Sequence, residues 1–212
     1  MPRRPSVARA LDAHSARLAA CRRCALHPGI TPITSRARAP RAMLVGQAPG
    51  KTEMGGGPPF AGRAGKTLFR WLERAGMDEA EAREALYISA ITRCFPGPHP
   101  GGRGDRVPSP RERANCADWL DAEISIIRPA VIIPVGRLAI DRFLGPIPLR
   151  DAVGREHEVA VDGRSVVIIP LPHPSGASSW IHVPEHRALL DESLDLIRER
   201  LTTSSRSHRS VA

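Results

Sequence analysis

Four cysteines are the residues in this 212-residue chain whose type and spacing most directly imply chemistry. Cys21 and Cys24 form a CxxC pair, Cys94 follows an apolar run, and Cys116 lies 22 residues beyond it. In a reducing compartment, four thiols with two arranged as CxxC favour a metal centre over disulfides. Four thiolates suit either zinc or a [4Fe–4S] cluster, and spacing does not choose between them. The same residues also read as buried free thiols with a chance CxxC. A centre here would tie an N-terminal helix to the rest of the fold, a structural role.

A second group of reactive side chains sits in residues 43–65, MLVGQAPGKTEMGGGPPFAGRAG. The apolar run Met43-Leu44-Val45 breaks at Gly46-Gln47-Ala48-Pro49-Gly50, crosses a glycine-rich loop and ends where a helical pattern begins. A strand that turns through such a loop into a helix offers backbone N–H groups to a ligand. Gln47, Glu53 and Phe60 add two polar groups and an aromatic face, which favours a pocket over a plain connector. A third group follows the last apolar run, in LPHPSGASSW at 171–180. His173 stands between Pro172 and Pro174, whose fixed φ stiffens the segment. It could donate a hydrogen bond to developing negative charge. Ser175, Gly176 and Ser178 offer small polar groups for phosphates, and Trp180 a flat apolar face.

The elements that must position these groups alternate between strand and helix. Helical periodicity predicts helices over 6–20 (Val7, Leu11 and Leu18 on one side), 64–75 with Gly76 as its stop, 78–85, Pro110 to about Ile127, 136–144 and 184–201. Apolar runs predict strands at 41–46, 86–91 and 130–135, and a hairpin over 156–171 turning at Asp162-Gly163. Residues 22–40 read as a loop, as do 95–109 with four glycines and four prolines. The last eleven residues read as a disordered polar tail. This alternation gives an α/β fold in one domain over 1–201, with a mostly parallel sheet and function at the strand C-terminal ends.

Composition limits the partners. Net charge is +9, carried almost wholly by arginine, which favours bidentate contact with phosphates. A nucleic-acid partner follows. No stretch approaches the ~20 apolar residues of a membrane span. The N-terminal segment lacks the apolar core of a secretory signal. The expectation is a cytoplasmic monomer that binds nucleic acid and no membrane.

The motifs also resemble a known family. Gly46-Gln47-Ala48-Pro49-Gly50 with Glu53 resembles motif A of the uracil-DNA glycosylase superfamily. Pro59-Phe60-Ala61-Gly62-Arg63-Ala64-Gly65 looks like the matching stretch of its iron–sulfur branch, family four. His173-Pro174-Ser175 is similar to the start of motif B, and the four cysteines fall where that branch carries its cluster ligands. The resemblance spans about residues 20–200.

It implies a three-layer α/β/α fold around a four-stranded, mostly parallel sheet, in which the first hairpin arm would be an addition. It also implies a [4Fe–4S] cluster on Cys21, Cys24, Cys94 and Cys116, with zinc as the alternative. The implied activity is hydrolysis of the N-glycosidic bond of uracil, or another deaminated base, flipped out of single- or double-stranded DNA. The alternative is a protein that binds lesions or abasic sites with little turnover. Phe60 would stack on the base, Gln47 and Ala48 would line the pocket and place the water, and Glu53 would bound it near C5. His173 would stabilise the departing base anion. Arg63, Ser175, Gly176 and Ser178 would grip DNA.

This chain departs from the family pattern at three places. Gln47 stands where the family has Glu, and Ala48 where the most active relatives have Asp, so neither is a general base. Ala90 replaces a base-reading Asn, leaving Ser89 or backbone groups to substitute. The long loop 95–107 carries GPHPGGRGD where another branch has a covalently reacting histidine, which makes His99 a candidate nucleophile.

Overall fold

The computed structural model describes residues 6–26, 29–102, 104–175 and 180–209, with side chains of the last helix through 202. Five strands form one sheet in the order β2-β1-β3-β5-β4. They are β1 (Ala42–Gly46), β2 (Leu86–Ala90), β3 (Val131–Pro134), β4 (His157–Val161) and β5 (Arg164–Ile168). Four run parallel, with Gly46 opposite Ala90 and Leu44 opposite Ile133. The fifth, β4, pairs antiparallel with β5 and makes the sheet five-stranded rather than four. The turn between them is Asp162-Gly163, both at positive φ (51° and 70°), the conformation a two-residue hairpin needs to match strand twist.

Helices cover both faces. On one, α2 (Arg63–Arg74), α3 (Glu79–Ala85) and α7 (Pro184–Arg209) bury Leu68, Leu72, Ala82, Leu194 and Ile197 against Leu44, Ile88 and Ile133. On the other, α1 (Val7–Ala19), α4 (Pro110–Ile127) and α5 (Arg137–Leu144) bury Leu11, Leu120, Ile124 and Ala139 against Met43, Val45, Tyr87 and Ile132. A short helix, α6 (Leu149–Ala152), precedes the hairpin. Strands buried on both faces read as continuous apolar runs, which is why they were visible without alternation. No described helix is long and apolar enough to cross a membrane.

Two helices differ from expectation. Val7 is exposed, and the third buried position of α1 is taken by His14 beside Leu11 and Leu18. The helix α7 continues to Arg209, past the boundary at 201.

His14 enters a charged core. Glu123 of α4, fully buried, accepts from His14 Nε2 (3.2 Å), Tyr87 Oη (3.0 Å), Ser89 Oγ (2.6 Å) and Arg93 Nη1 (2.9 Å). Arg93 donates its remaining guanidinium groups to the Ile33 carbonyl. Burial works to raise the Glu123 pKa, but Arg93 and the hydrogen bonds from His14 and Ser89 outweigh it and hold the carboxyl down. A buried carboxylate with its oxygens fully satisfied is tolerable where an unpaired one would not be.

Candidate active site

The Gly46–Gly50 turn leaves the C-terminal end of β1 and is tied to the segment after β2. Ile91 N–H donates to the Gly46 carbonyl (2.9 Å) and Thr92 N–H to that of Gln47 (3.2 Å). Gly46 has no side chain for a definite reason: a Cβ there would lie 2.9 Å from Cζ of the Phe60 ring. Phe60 has φ 57°, a left-handed conformation that costs about 1–3 kcal/mol in a non-glycine residue. Arg83 holds this backbone by donating to the Pro59 carbonyl at 2.8 Å. Gly65 completes the fit, since a Cβ there would fall 1.7 Å from the Phe60 carbonyl oxygen. Glu53 is 5% exposed and its Oε1 accepts from Gly62 N–H (3.1 Å), closing the loop on itself.

His173 follows β5. Its Nδ1 accepts from Ser175 N–H (3.2 Å) and lies 2.9 Å from the Ser175 hydroxyl. The ring proton therefore sits on Nε2. Burial lowers the imidazole pKa, so the ring is neutral at neutral pH. Beneath it lies Gly136, at φ 84°, where a Cβ would come within 2.8 Å of His173 Cδ2.

These groups meet around one cavity of about 660 Å³. It brings Gln47, Ala48, Glu53 and Phe60 of the first loop to His173 and Ser175 of the second. Arg63, Ser89 and Ala90 also border it. The Ser89 hydroxyl is not free to read a base, because it is committed to Glu123 and also receives Arg93. Gly176 and Ser178 lie outside the described residues. His99 is exposed, its Nδ1 accepts from Gly101 N–H (3.0 Å), and it does not line the cavity. Sequence reasoning missed Asp105 and Arg93, which do, and Gly136, which shapes the imidazole's seat. Only Gly136 left a trace, as a glycine directly between a buried run and a helix.

A second cavity, of about 70 Å³, is lined by all four cysteines. Leu18, Leu26, Ile30 and Pro32 give it an apolar wall. Arg93 N–H points at Cys116 Sγ (3.3 Å) and Asn115 Nδ2 at Cys24 Sγ (3.6 Å). Burial, reinforced by the neighbouring cysteines, pushes the Cys94 thiol up to about 12. Burial likewise pushes Cys116 up to about 11, though Arg93 opposes the rise. The bare Cys94 and Cys116 thiols stay protonated at neutral pH, and a cation beside them would reverse that. Among the described residues no three His, Cys, Asp or Glu side chains converge as a single-ion site. Four cysteines around a shared cavity are a donor set that suits either zinc or an iron–sulfur cluster.

Comparison with known proteins agrees with this geometry. The model of the uracil DNA glycosylase superfamily matches residues 34–195. A type-4 uracil-DNA glycosylase of Archaeoglobus fulgidus is 33% identical over 162 residues, covering 73% of this chain and 76% of that protein. The type-4 enzyme of Thermotoga maritima is 33% identical over 163 residues (76% of this chain, 79% of that one). That of Sulfurisphaera tokodaii is 28% identical over 194 residues (88% and 82%). The matched span runs from before the first strand into the last helix and takes in both loops of the larger cavity. By that match, this chain belongs to the uracil-DNA glycosylase superfamily and groups with its type-4 members.

Proposed function

We propose that this protein removes uracil, or another deaminated base, from DNA by hydrolysing the N-glycosidic bond and leaving an abasic site. The reading rests chiefly on one observation: Phe60, the Gly46–Gly50 turn and a neutral His173 border a single cavity of about 660 Å³. A base inside a duplex cannot reach such a cavity, so the nucleotide is flipped out. Phe60, already held in a strained conformation, offers its ring for stacking. Gln47 and the turn backbone line the pocket beside the sugar.

His173 Nε2–H supplies a hydrogen bond to the base oxygen as negative charge builds on it. A neutral donor suits this task, because it strengthens as the anion forms without first having to lose or gain a proton. Arg63 and the arginine-rich surface supply sequence-independent attraction for phosphates. We assign a [4Fe–4S] cluster to Cys21, Cys24, Cys94 and Cys116, with zinc as the alternative. Its contribution is to fasten the segments around α1, α4 and the end of β2 to one another.

A second reading is a protein that binds lesions or abasic sites with little turnover. The absence of a carboxylate at Gln47 and Ala48 favours it. One experiment separates them. The purified protein is incubated with single- and double-stranded oligonucleotides containing uracil, hypoxanthine or xanthine, then treated with alkali. Strand cleavage at the modified base is expected. No cleavage on any substrate rejects the glycosylase. Tight, salt-sensitive binding without base release supports the second reading.

A further inference from the structure

A glycosidic hydrolysis needs something to take a proton from water, and the motif loop of this chain lacks it. Gln47 is an amide and Ala48 a methyl. Glu53 is 5% exposed with one oxygen committed to Gly62 N–H, so it is poorly placed to receive a proton from a mobile water. Among the described residues the cavity has one more carboxylate on its lining, carried by the loop before α4.

We propose that Asp105 is the general base that activates the attacking water. This inference rests on the glycosylase reading above. Asp105 lines the same cavity as Gln47 and His173. Its Oδ2 lies 3.1 Å from where a Gly50 Cβ would sit, and Glu53 Oε2 lies 3.1 Å from the same point. The lack of a side chain at Gly50 is therefore what lets this carboxylate come down over the motif loop.

The position is built rather than accidental. Residues 97–99 and 104–106 pair as two short antiparallel arms, with Pro98 bridged to Asp105. Their rungs are His99 N–H to the Gly104 carbonyl (3.0 Å) and Arg106 N–H to that of Gly97 (3.0 Å). Arg106 then anchors the arms by donating twice to Glu112, at 2.7 and 2.5 Å. Glu112 is itself fixed in the capping box that starts α4.

The charges around Asp105 suit a base. Burial and the facing Glu53 carboxylate raise its pKa, while Lys51, through its backbone N–H and its charge, opposes them. A carboxylate more basic than usual accepts a proton more readily, and Asp105 is exposed enough to return it to solvent. In the step, the C1′–N bond breaks and its electron pair leaves with the base, whose oxygen is held by His173 Nε2–H. The water oxygen bonds to C1′ and its proton passes to Asp105. That proton is then released to solvent or to the departed base anion, leaving the neutral base and an abasic sugar with a C1′ hydroxyl.

The test is single-turnover release of uracil from a single-stranded oligonucleotide between pH 3.5 and 9, by wild type, Asp105→Asn and Asp105→Glu. Asp105→Asn keeps the shape and removes the base, so release should slow by about 100-fold or more. Its acid limb in the pH profile should vanish, its affinity for an abasic-site oligonucleotide should persist, and Asp105→Glu should recover part of the rate. Asp105→Asn releasing uracil at the wild-type rate with an unchanged pH profile overturns this inference alone. A wild type that releases no base overturns the glycosylase reading and this inference with it.

Discussion

The cysteine cavity and the motif-loop cavity share Arg93, which lines both, yet they are built on opposite plans. The first encloses about 70 Å³ and the second about 660 Å³. Around the first, most polar groups turn inward and find partners: Arg93 and Asn115 donate to sulfur, and Glu123, which holds Arg93, accepts four hydrogen bonds, while the buried Thr92 hydroxyl has no partner. Around the second, the backbone is strained at Phe60 and glycines are placed where any side chain would collide with Phe60 or His173. A region that holds the fold together closes most of its hydrogen bonds. A region that does chemistry leaves a donor and a carboxylate facing open space and spends stability to do so.

The sharpest way to break that contrast is at Glu123. Glu123→Ala would leave the Arg93 guanidinium, whose side chain is 3% exposed, buried without its partner. The expected loss is about 3–5 kcal/mol of folding stability, read from denaturant melts. Because Arg93 lines both cavities, the visible absorbance of the cluster proposed for the cysteines and the glycosylase rate should fall together. Loss of one with the other intact would mean the two regions are not coupled through this network.

His173→Ala tests the other side. Removing this neutral donor should slow base release by about 100- to 1000-fold, with melting temperature and metal content unchanged. The lowered imidazole pKa adds a sign: protonation sets in below the ordinary value near 6.5, so wild-type release should hold as pH falls through that value. A rate that follows a titration at or above 6.5 would contradict a neutral ring.

Much of the fold was legible because its signals are local. The buried strands are continuous apolar runs, Ser109-Pro110 opens α4 with a cap and an N1 proline, and Asp162-Gly163 gives the hairpin turn. The two loops carrying Gln47, Phe60 and His173 were legible for the same reason, each a short string of turn residues after a strand. What escaped depends on distant pairings. His14 looks like an ordinary helical residue until Glu123, 109 positions away, meets it. Ser89 looks available to a base until the same carboxylate claims its hydroxyl. Asp105 sits in a glycine- and proline-rich stretch that reads as generic surface. Only the backbone rungs and the Arg106 anchor bring it over Gly50.

That anchor is also a second bridge between the cavities, since Glu112 borders the cysteines and Arg106 the motif loop. Hydrogen bonds from Arg106 pull the Glu112 pKa down to about 2 against its burial, with Ser109 assisting. The carboxylate's contribution to stability is therefore fully present above its ordinary value of 4.5 and disappears as pH falls through about 2. A carboxyl titration followed by NMR should find Glu112 still ionised at pH 4, and a midpoint near 4.5 would contradict the clamp. Glu112→Gln should cost about 1 kcal/mol of stability and slow base release only about threefold. The effect is the smallest because the amide still accepts one hydrogen bond from Arg106, and the backbone rungs between 97–99 and 104–106 keep Asp105 near its place. If the slowing instead matched that of Asp105→Asn, the paired arms would depend on the clamp rather than on their own backbone bonds, and the two cavities would be one mechanical unit.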